Sequence, residues 1–269
     1  MWEDDTKDAL RTKILPLLGI LVVIIALVGG WYWWSNRPKP PPVAVAPPPP
    51  PPVTEEPAPV TNPVATPAAG GGSALPALND SDQVVRDSLI GVYGRSTVEQ
   101  FLVPTNIVRN IVVTVDNLPR KKVAVDRRPV KPTPPQTVVT TQGDLIYLSE
   151  ANFERYTPIV HAVQTTNVKA LAVVYQRLYP LFQQAYENLG YPGKYFNDRL
   201  VETIDNLLET PEVQAPIALT QPRVMYEYAD AALERRSAGQ KLLIRMGPAN
   251  ARAIKDKLRE FRAEVATKK

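Results

Sequence analysis

The sequence predicts a mainly α protein in three parts: an N-terminal transmembrane helix, a disordered proline-rich stalk, and a multi-helix globular domain with at most a short β element. Three observations predict this arrangement. An uncharged apolar run occupies residues 14–34, fourteen of the 29 prolines lie between Pro38 and Pro67, and apolar residues recur at helical spacing over much of the remainder. The predicted divisions are therefore residues 1–13, 14–34, 35–74 and 75–269.

Residues 14–34 have the length and composition of a membrane anchor. The run contains no charged side chain and ends in the aromatic residues 31–34. A helix of about 20 residues crosses the roughly 30 Å hydrocarbon core of a bilayer, and aromatic rings favour the headgroup level. Because no small-x-small cleavage site follows the run, we expect an uncleaved single-pass anchor rather than a signal peptide.

Flanking charges indicate the orientation of this anchor. Lys7, Arg11 and Lys13 precede the run, whereas Arg37 and Lys39 follow it. The excess of basic residues before the span favours a cytoplasmic N-terminus, and the absence of cysteine suits an oxidising compartment. We therefore expect residues 1–13 to lie in the cytoplasm and the C-terminal domain to lie outside it.

Residues 35–74 predict a linker. Six consecutive prolines at 47–52 favour an extended polyproline II rod, and the glycines at 70–72 add a flexible hinge. About thirty such residues, at about 3.1 Å each, would hold the domain on the order of 90 Å from the membrane. Proline-rich chain can also be a ligand for aromatic-lined grooves, but a position directly after the span favours a spacer.

The first half of the C-terminal domain predicts short elements. Residues 81–91 form an amphipathic helix, and Ser96 with Glu99 forms a capping box that opens a second helix. Residues 107–115 carry apolar side chains at helical spacing, but most are β-branched, so a strand remains an alternative. Residues 138–148 predict a short strand or one arm of a hairpin.

The second half predicts longer helices. One spans residues 167–190 and contains Pro180, where the loss of a backbone hydrogen bond predicts a kink. Asn197 is expected to cap the next helix, which ends before Pro211. Residues 211–222 predict a proline-spaced extended loop.

Local signals also place the last two helices. Ser237 with Gln240 forms a second capping box. Gly247 ends that helix, and Pro248 begins the last one.

Three stretches of this domain resemble a known family: TVDNLPR (114–120), RLYPLFQQAYENLGYPGKYFNDRL (177–200) and SAGQKLLIRMGP (237–248). They are similar to a bacterial domain-of-unknown-function family, numbered 3014, of single-pass envelope proteins, and the likeness covers most of residues 75–262. The resemblance implies an envelope protein with a short N-terminal anchor and supplies no catalytic residues. With the orientation above, it implies an anchor in the bacterial inner membrane and a periplasmic domain.

The residue inventory argues against most catalytic chemistry. Cysteine is absent, and His161 is the single histidine, which removes thiol nucleophiles and the usual Cys/His metal clusters. Neither a G-x-S-x-G elbow nor a nucleotide-binding glycine loop occurs. We therefore expect no catalytic, metal-binding or cofactor-binding residues and no cofactor. A net charge of +4 is too small to predict a nucleic-acid partner.

Four acids predict a negatively charged helix face. Asp198, Glu202, Asp205 and Glu209 follow one another at offsets of 4, 3 and 4, so they lie on one side of a helix. Such a face is most often simply solvated. The functional alternatives are binding of divalent cations or the paired carboxylates of a glycosidase.

A basic segment and two tyrosines are the other candidate contact surface. The segment contains Arg120, Lys121, Lys122, Arg127, Arg128 and Lys131. It predicts a solvated loop, a patch for anionic partners, or a loop docked on the acidic face. Tyr191 and Tyr195 follow an aromatic stripe at 175–186 that predicts either core packing or a partly exposed aromatic face.

Three functional hypotheses follow. The favoured one is a non-enzymatic interaction or scaffold module that is tethered to the membrane and contacts an envelope protein or cell-wall component. The alternatives are a cell-wall glycan hydrolase using carboxylates and a small-ligand-binding periplasmic domain. The sequence names neither the partner nor the oligomeric state.

Overall fold

The computed structural model describes residues 59–64, 74–134 and 136–266. The predicted segment 1–13, the predicted span 14–34 and most of the predicted linker 35–74 lie outside these ranges. Within the described ranges, no helix combines the length and the apolar character needed to cross a bilayer.

The described domain is mainly helical, as predicted, with a small antiparallel sheet. Ten α-helices and four β-strands lie within the described ranges. The helices are α1 (Asp82–Tyr93), α2 (Arg95–Phe101), α3 (Ile107–Asn117), α4 (Ala151–Glu154), α5 (Thr157–Gln164), α6 (Val168–Asn188), α7 (Phe196–Leu208), α8 (Ala231–Glu234), α9 (Ala238–Arg245) and α10 (Pro248–Val265). The strands are β1 (Val139–Gln142), β2 (Leu145–Leu148), β3 (Ile217–Thr220) and β4 (Glu227–Tyr228). Single 3-10 turns occur at Leu78–Asp80 and Val125–Arg127.

Helix α3 is the segment for which a strand was an alternative. Ile107, Val108 and Val112 are buried on one face of the helix in the larger core. Asn106 precedes α3 in the left-handed conformation, with φ of 52°. The Asp82 carboxylate accepts the backbone N–H groups of Asn106 and Ile107 at 2.7 and 2.8 Å. This tertiary cap satisfies donors that the helix itself leaves unpaired.

The predicted capping box at Ser96 is wrong. Helix α2 begins at Arg95 after Gly94, so Ser96 lies inside the helix rather than before it. Gly94 has φ of 80°, a conformation that glycine adopts without strain and that separates α1 from α2. Glu99 forms ion pairs with Arg86 at 3.3 Å and with Arg95 at 3.5 Å.

Helix α6 lies at the centre of the larger core. The Asn167 side chain caps it by accepting the N–H of Ala170 at 3.1 Å, and the helix continues through Pro180 to Asn188. Three residues of the aromatic stripe, Tyr175, Phe182 and Tyr186, are buried in the core beside the aliphatic side chains, so this stripe serves packing. The buried side chains of the helix are Val168, Ala172, Tyr175, Leu178, Leu181, Phe182, Ala185 and Tyr186.

The sheet is larger than the predicted β element. Its four antiparallel strands lie in the order β1-β2-β3-β4, and Leu148 of β2 pairs with Ile217 of β3. The expectation of an extended loop over 211–222 is therefore wrong for residues 217–220. Ile217 and Leu219 point to the same face and form a second core cluster with Leu148, Tyr228 and Ile244.

The start of α9 and the junction between α9 and α10 lie where the sequence predicts. Ser237 accepts the N–H of Gln240 at 3.2 Å, and the Gln240 side chain accepts the N–H of Ser237, which completes the predicted capping box. Gly247, with φ of 84°, separates α9 from α10, and a Cβ there would lie 2.5 Å from the ring of Phe153. Pro248 is the first residue of α10.

Candidate functional site

The three stretches that carry the family resemblance meet in space. Residues 114–120 end helix α3, residues 177–200 run from α6 into α7, and residues 237–248 contain α9. Ala238 donates its backbone N–H to the Arg120 carbonyl at 2.7 Å, and Gly239 donates to the Leu118 carbonyl at 2.9 Å. The three stretches therefore converge at the junction of α3, α7 and α9, which is the centre of the candidate site.

A buried carboxylate, Asp116, lies at this junction. Arg120 reaches one of its oxygens at 2.8 Å, and Arg199 reaches the other at 3.0 Å. The Tyr191 hydroxyl donates to the same group at 3.3 Å. Arg199 also pairs with Glu202 at 2.8 Å, so the charges form a chain that runs from the core to the surface. The hydrogen bond that Arg120 donates to the Asp116 carboxylate raises the pKa of Arg120.

Close approach of two backbones builds this junction. A Cβ at Gly239 would lie 2.5 Å from the Leu207 side chain and 3.1 Å from the carbonyl oxygen of Leu118. Only glycine fits without a shift of the neighbouring atoms. Nearby, the side-chain oxygen of Asn206 in α7 accepts a hydrogen bond from the Ser237 hydroxyl at 2.7 Å, and its backbone carbonyl accepts one from the Gln240 side-chain amide at 2.8 Å.

Beside the junction, α7 and α10 form a groove of about 790 Å³. The four predicted acids of α7 all lie along it. The complete lining is Thr61, Asn62, Pro119, Asp198, Val201, Glu202, Asp205, Asn206, Glu209, Arg262, Ala263 and Ala266. One arginine and four carboxylates give this lining an excess of negative charge.

Three of the four carboxylates are held in place by neighbours. Arg199 forms an ion pair with Glu202. Arg262 donates two hydrogen bonds to the Asp205 carboxylate, one to each oxygen, at 2.5 and 3.0 Å. The hydrogen bonds that Arg262 donates to the Asp205 carboxylate raise the pKa of Arg262. Glu202 and Glu209 are exposed, and Asp198 and Asp205 are half-buried. Asp198, Glu202 and Asp205 therefore present fixed oxygens to the groove, and Glu209 is exposed beside them.

A short segment of the predicted linker forms one end of this groove. We call residues 59–64 the strap. The Asp198 carboxylate accepts the backbone N–H of Thr61 at 3.1 Å and that of Asn62 at 2.6 Å. It also accepts the Asn62 side-chain amide at 3.0 Å. The sequence did not predict this contact.

Asn197 also binds the strap. The prediction that Asn197 caps α7 is wrong. Tyr195 occupies the cap position, and Asn197 lies inside the helix with no exposed surface. Its amide donates to the carbonyls of Asn62 at 2.9 Å and Val265 at 2.8 Å, and its oxygen accepts the Tyr175 hydroxyl at 2.9 Å. A fully buried amide needs such partners.

The basic segment divides into two parts. Arg120 binds Asp116, and the Lys121 ammonium donates to the Arg235 carbonyl. Lys122, Arg127 and Arg128 are exposed. The cations that pair with the acidic helix are therefore Arg199 and Arg262, and within the described residues the basic segment forms no ion pair with the acidic face.

The two candidate tyrosines are half-buried. Tyr191 stacks on Tyr186 with a centroid distance of 4.6 Å, and its hydroxyl also receives Arg120 at 2.5 Å. Tyr191 therefore joins the Asp116 cluster, whereas Tyr195 lies at the start of α7.

The described residues contain no group of three or more Asp, Glu or His side chains that could hold a metal ion. His161 is exposed on α5. Each of the four groove acids comes from one helix or its cap, so no second acidic element faces them across the groove lining.

Sequence reasoning missed the residues that organise this site. Asp116, Arg199 and Asn206 lie within or beside the recognised stretches, but their partners are distant in the chain. Arg262 lies in the last helix, 57 residues from Asp205. The TVDNLPR and YFNDRL motifs were the available signal for Asp116 and Arg199.

Comparison with known proteins gives one match. The family described as "Protein of unknown function (DUF3014)" matches residues 107–262, which is more than half of the chain. This range begins at α3 and includes the Asp116 cluster, all four groove acids and Arg262. Neither a curated protein nor a solved structure matches the chain.

Proposed function

We propose, from the premise that the chain belongs to the DUF3014 family, that it is a membrane-anchored bacterial envelope protein whose helical domain binds a partner and catalyses no reaction itself. The observation that carries this proposal is the acidic groove between α7 and α10. The partner we infer is a protein of the envelope that presents a basic, extended segment to the groove.

The dimensions of the groove suit such a segment. Residues 198–209 rise about 16 Å along the helix axis at about 1.5 Å per residue. An extended chain covers that length with about five residues at about 3.3 Å each. The exposed carboxylates of Glu202 and Glu209 can meet lysine or arginine side chains of such a segment. Because Arg199 already fixes Glu202, little side-chain entropy of that residue is lost on binding.

A glycan hydrolase is less well supported by the same geometry. Its two carboxylates flank the scissile bond, and one is desolvated so that it can act as an acid. The groove acids instead lie along one helix, and the Glu202 side chain is 64% exposed and paired with Arg199. A small-ligand site is also less well supported by this groove, because such sites are mainly apolar, whereas seven of the twelve residues that line the groove are charged or amides.

The sequence supports the membrane and compartment terms of the proposal. Residues 14–34 predict the inner-membrane anchor, and their flanking charges favour a periplasmic domain. The exposed side chains of Lys122, Arg127 and Arg128 offer a second contact surface, for an anionic partner. Nucleic acid is not a partner in this scheme, because the periplasm does not present it.

Photocrosslinking in cells tests the groove as a contact surface. A photoreactive amino acid at Glu209, which lines the groove, should capture one dominant envelope protein. The same probe at Val173, which is exposed on α6 and does not line the groove, should not capture it. Charge reversal by Glu202→Lys should abolish the product, whereas Glu99→Lys on α2 should leave it. Equal capture from both probe positions contradicts the proposal.

A further inference from the structure

The strap and the groove share atoms. Thr61 and Asn62 line the groove, and Asp198, one of the four groove acids, accepts three hydrogen bonds from them. The state of the strap therefore changes both the wall of the groove and the charge that Asp198 offers to a ligand.

The strap buries little apolar surface. Val60 is 41% exposed, Thr61 and Pro63 are exposed, and Asn62 and Val64 are half-buried. Val64 is the strap side chain that packs against the larger core. Polar contacts to Asp198 and Asn197 thus supply much of the attachment. Segments with few buried apolar contacts open and close at low free energy.

We infer that the strap is a reversible latch whose attachment and the binding of a basic ligand in the groove favour each other. The inference rests on the proposed function, because it concerns the ligand of the same groove. The attached strap already occupies the oxygens of Asp198, so the ligand gains from contacts with Thr61 and Asn62, which line the groove, and these contacts stabilise the attached state. By thermodynamic linkage, the attached strap raises the affinity of the groove for the ligand by the same factor.

The test uses the full chain in nanodiscs of neutral phosphatidylcholine, because a basic probe would bind anionic lipid. Oligolysine is the probe for the basic segment. Asn62→Pro removes both the backbone and the side-chain donor of residue 62 while all four groove acids stay in place. Val60→Ala, which trims an exposed side chain of the same strap, is the matched control.

The latch predicts that Asn62→Pro weakens oligolysine binding about fivefold or more, the lower end of usual coupling factors, whereas Val60→Ala leaves it unchanged. Oligolysine should also slow hydrogen exchange of the strap amides in the wild type by a similar factor. If Asn62→Pro binds oligolysine as the wild type does and strap exchange does not respond, the latch is overturned and the groove proposal stands. If the wild type does not bind oligolysine, both are overturned.

Discussion

Replacing Asp116 with alanine should destabilise the domain strongly, because this carboxylate holds the junction of α3 and α7. Asp116 is 4% exposed, and its partner Arg199 keeps 15% of its side-chain surface exposed. Removal of one member of a mostly buried ion pair costs about 3–5 kcal/mol, since the other charge stays buried without a partner. Arg120 is 48% exposed, so its pair with Asp116 adds at most about 1 kcal/mol.

Urea unfolding followed by circular dichroism measures this loss. Tryptophan fluorescence is unsuitable, because all four tryptophans precede residue 35 and lie outside the domain. Double-mutant cycles should give a coupling energy for Asp116 with Arg199 that exceeds the coupling with Arg120 by about 2 kcal/mol. A free energy of unfolding within about 0.5 kcal/mol of the wild type for Asp116→Ala would refute the reasoning.

Three further predictions concern packing and pH. Gly239→Ala should lower the free energy of unfolding by about 1–3 kcal/mol, because its Cβ would overpack the junction. Gly91→Ala is the control: its Cβ meets nothing within 4 Å, so this variant should raise the free energy of unfolding by about 0.5–1 kcal/mol. A destabilising Gly91→Ala would contradict the assignment of residue 91 to a helix. Leu178→Ala should cost about 2–5 kcal/mol, since Leu178 is 1% exposed in the core, and a near-neutral urea midpoint would contradict its placement. For Glu234, burial is the largest single influence and acts to raise its pKa. The hydrogen bonds from Lys241 and from the Tyr228 N–H, with the charges of Lys241 and Arg245, together outweigh burial and lower the pKa. A carboxyl whose pKa is lower in the folded state stabilises the fold above its unfolded pKa, so about 1 kcal/mol or less of stability should be lost as pH falls through the folded pKa. Glu234→Gln should remove that part of the pH dependence. If the free energy of unfolding of this variant falls with acid as that of the wild type does, the result would count against the ion pair.

Local signals predicted the elements that local chemistry determines. The capping box at Ser237 involves residues three apart, and the Gly247–Pro248 junction depends on two adjacent residues. Both features could therefore be predicted from the sequence. Strand β3 was missed because prolines on either side of residues 217–220 obscured a four-residue alternation. The burial of Ile217 and Leu219 depends on pairing with β2, which lies about 70 residues earlier.

The candidate site was less predictable because its decisive contacts are long-range. The spacing of the four acids correctly placed them along α7, but it gave no indication that Arg262 would meet Asp205. The same limit explains the misassigned Asn197, whose side chain resembles a helix cap in sequence. In the folded chain it instead joins the strap to the end of α10. A polar residue near a helix start has several possible partners, and tertiary packing selects among them.

The most direct test of the groove is the affinity of oligolysine for charge variants of the full chain in neutral nanodiscs. Glu202→Gln with Glu209→Gln removes two exposed charges from the groove, and Asp87→Asn with Glu99→Gln removes two from α1 and α2 as a matched control. A basic partner site predicts that the groove pair weakens binding about tenfold, which corresponds to about 1.4 kcal/mol, and that added salt narrows this difference. The control pair should bind as the wild type does. Equal affinities of the two double variants would contradict a binding function for the groove.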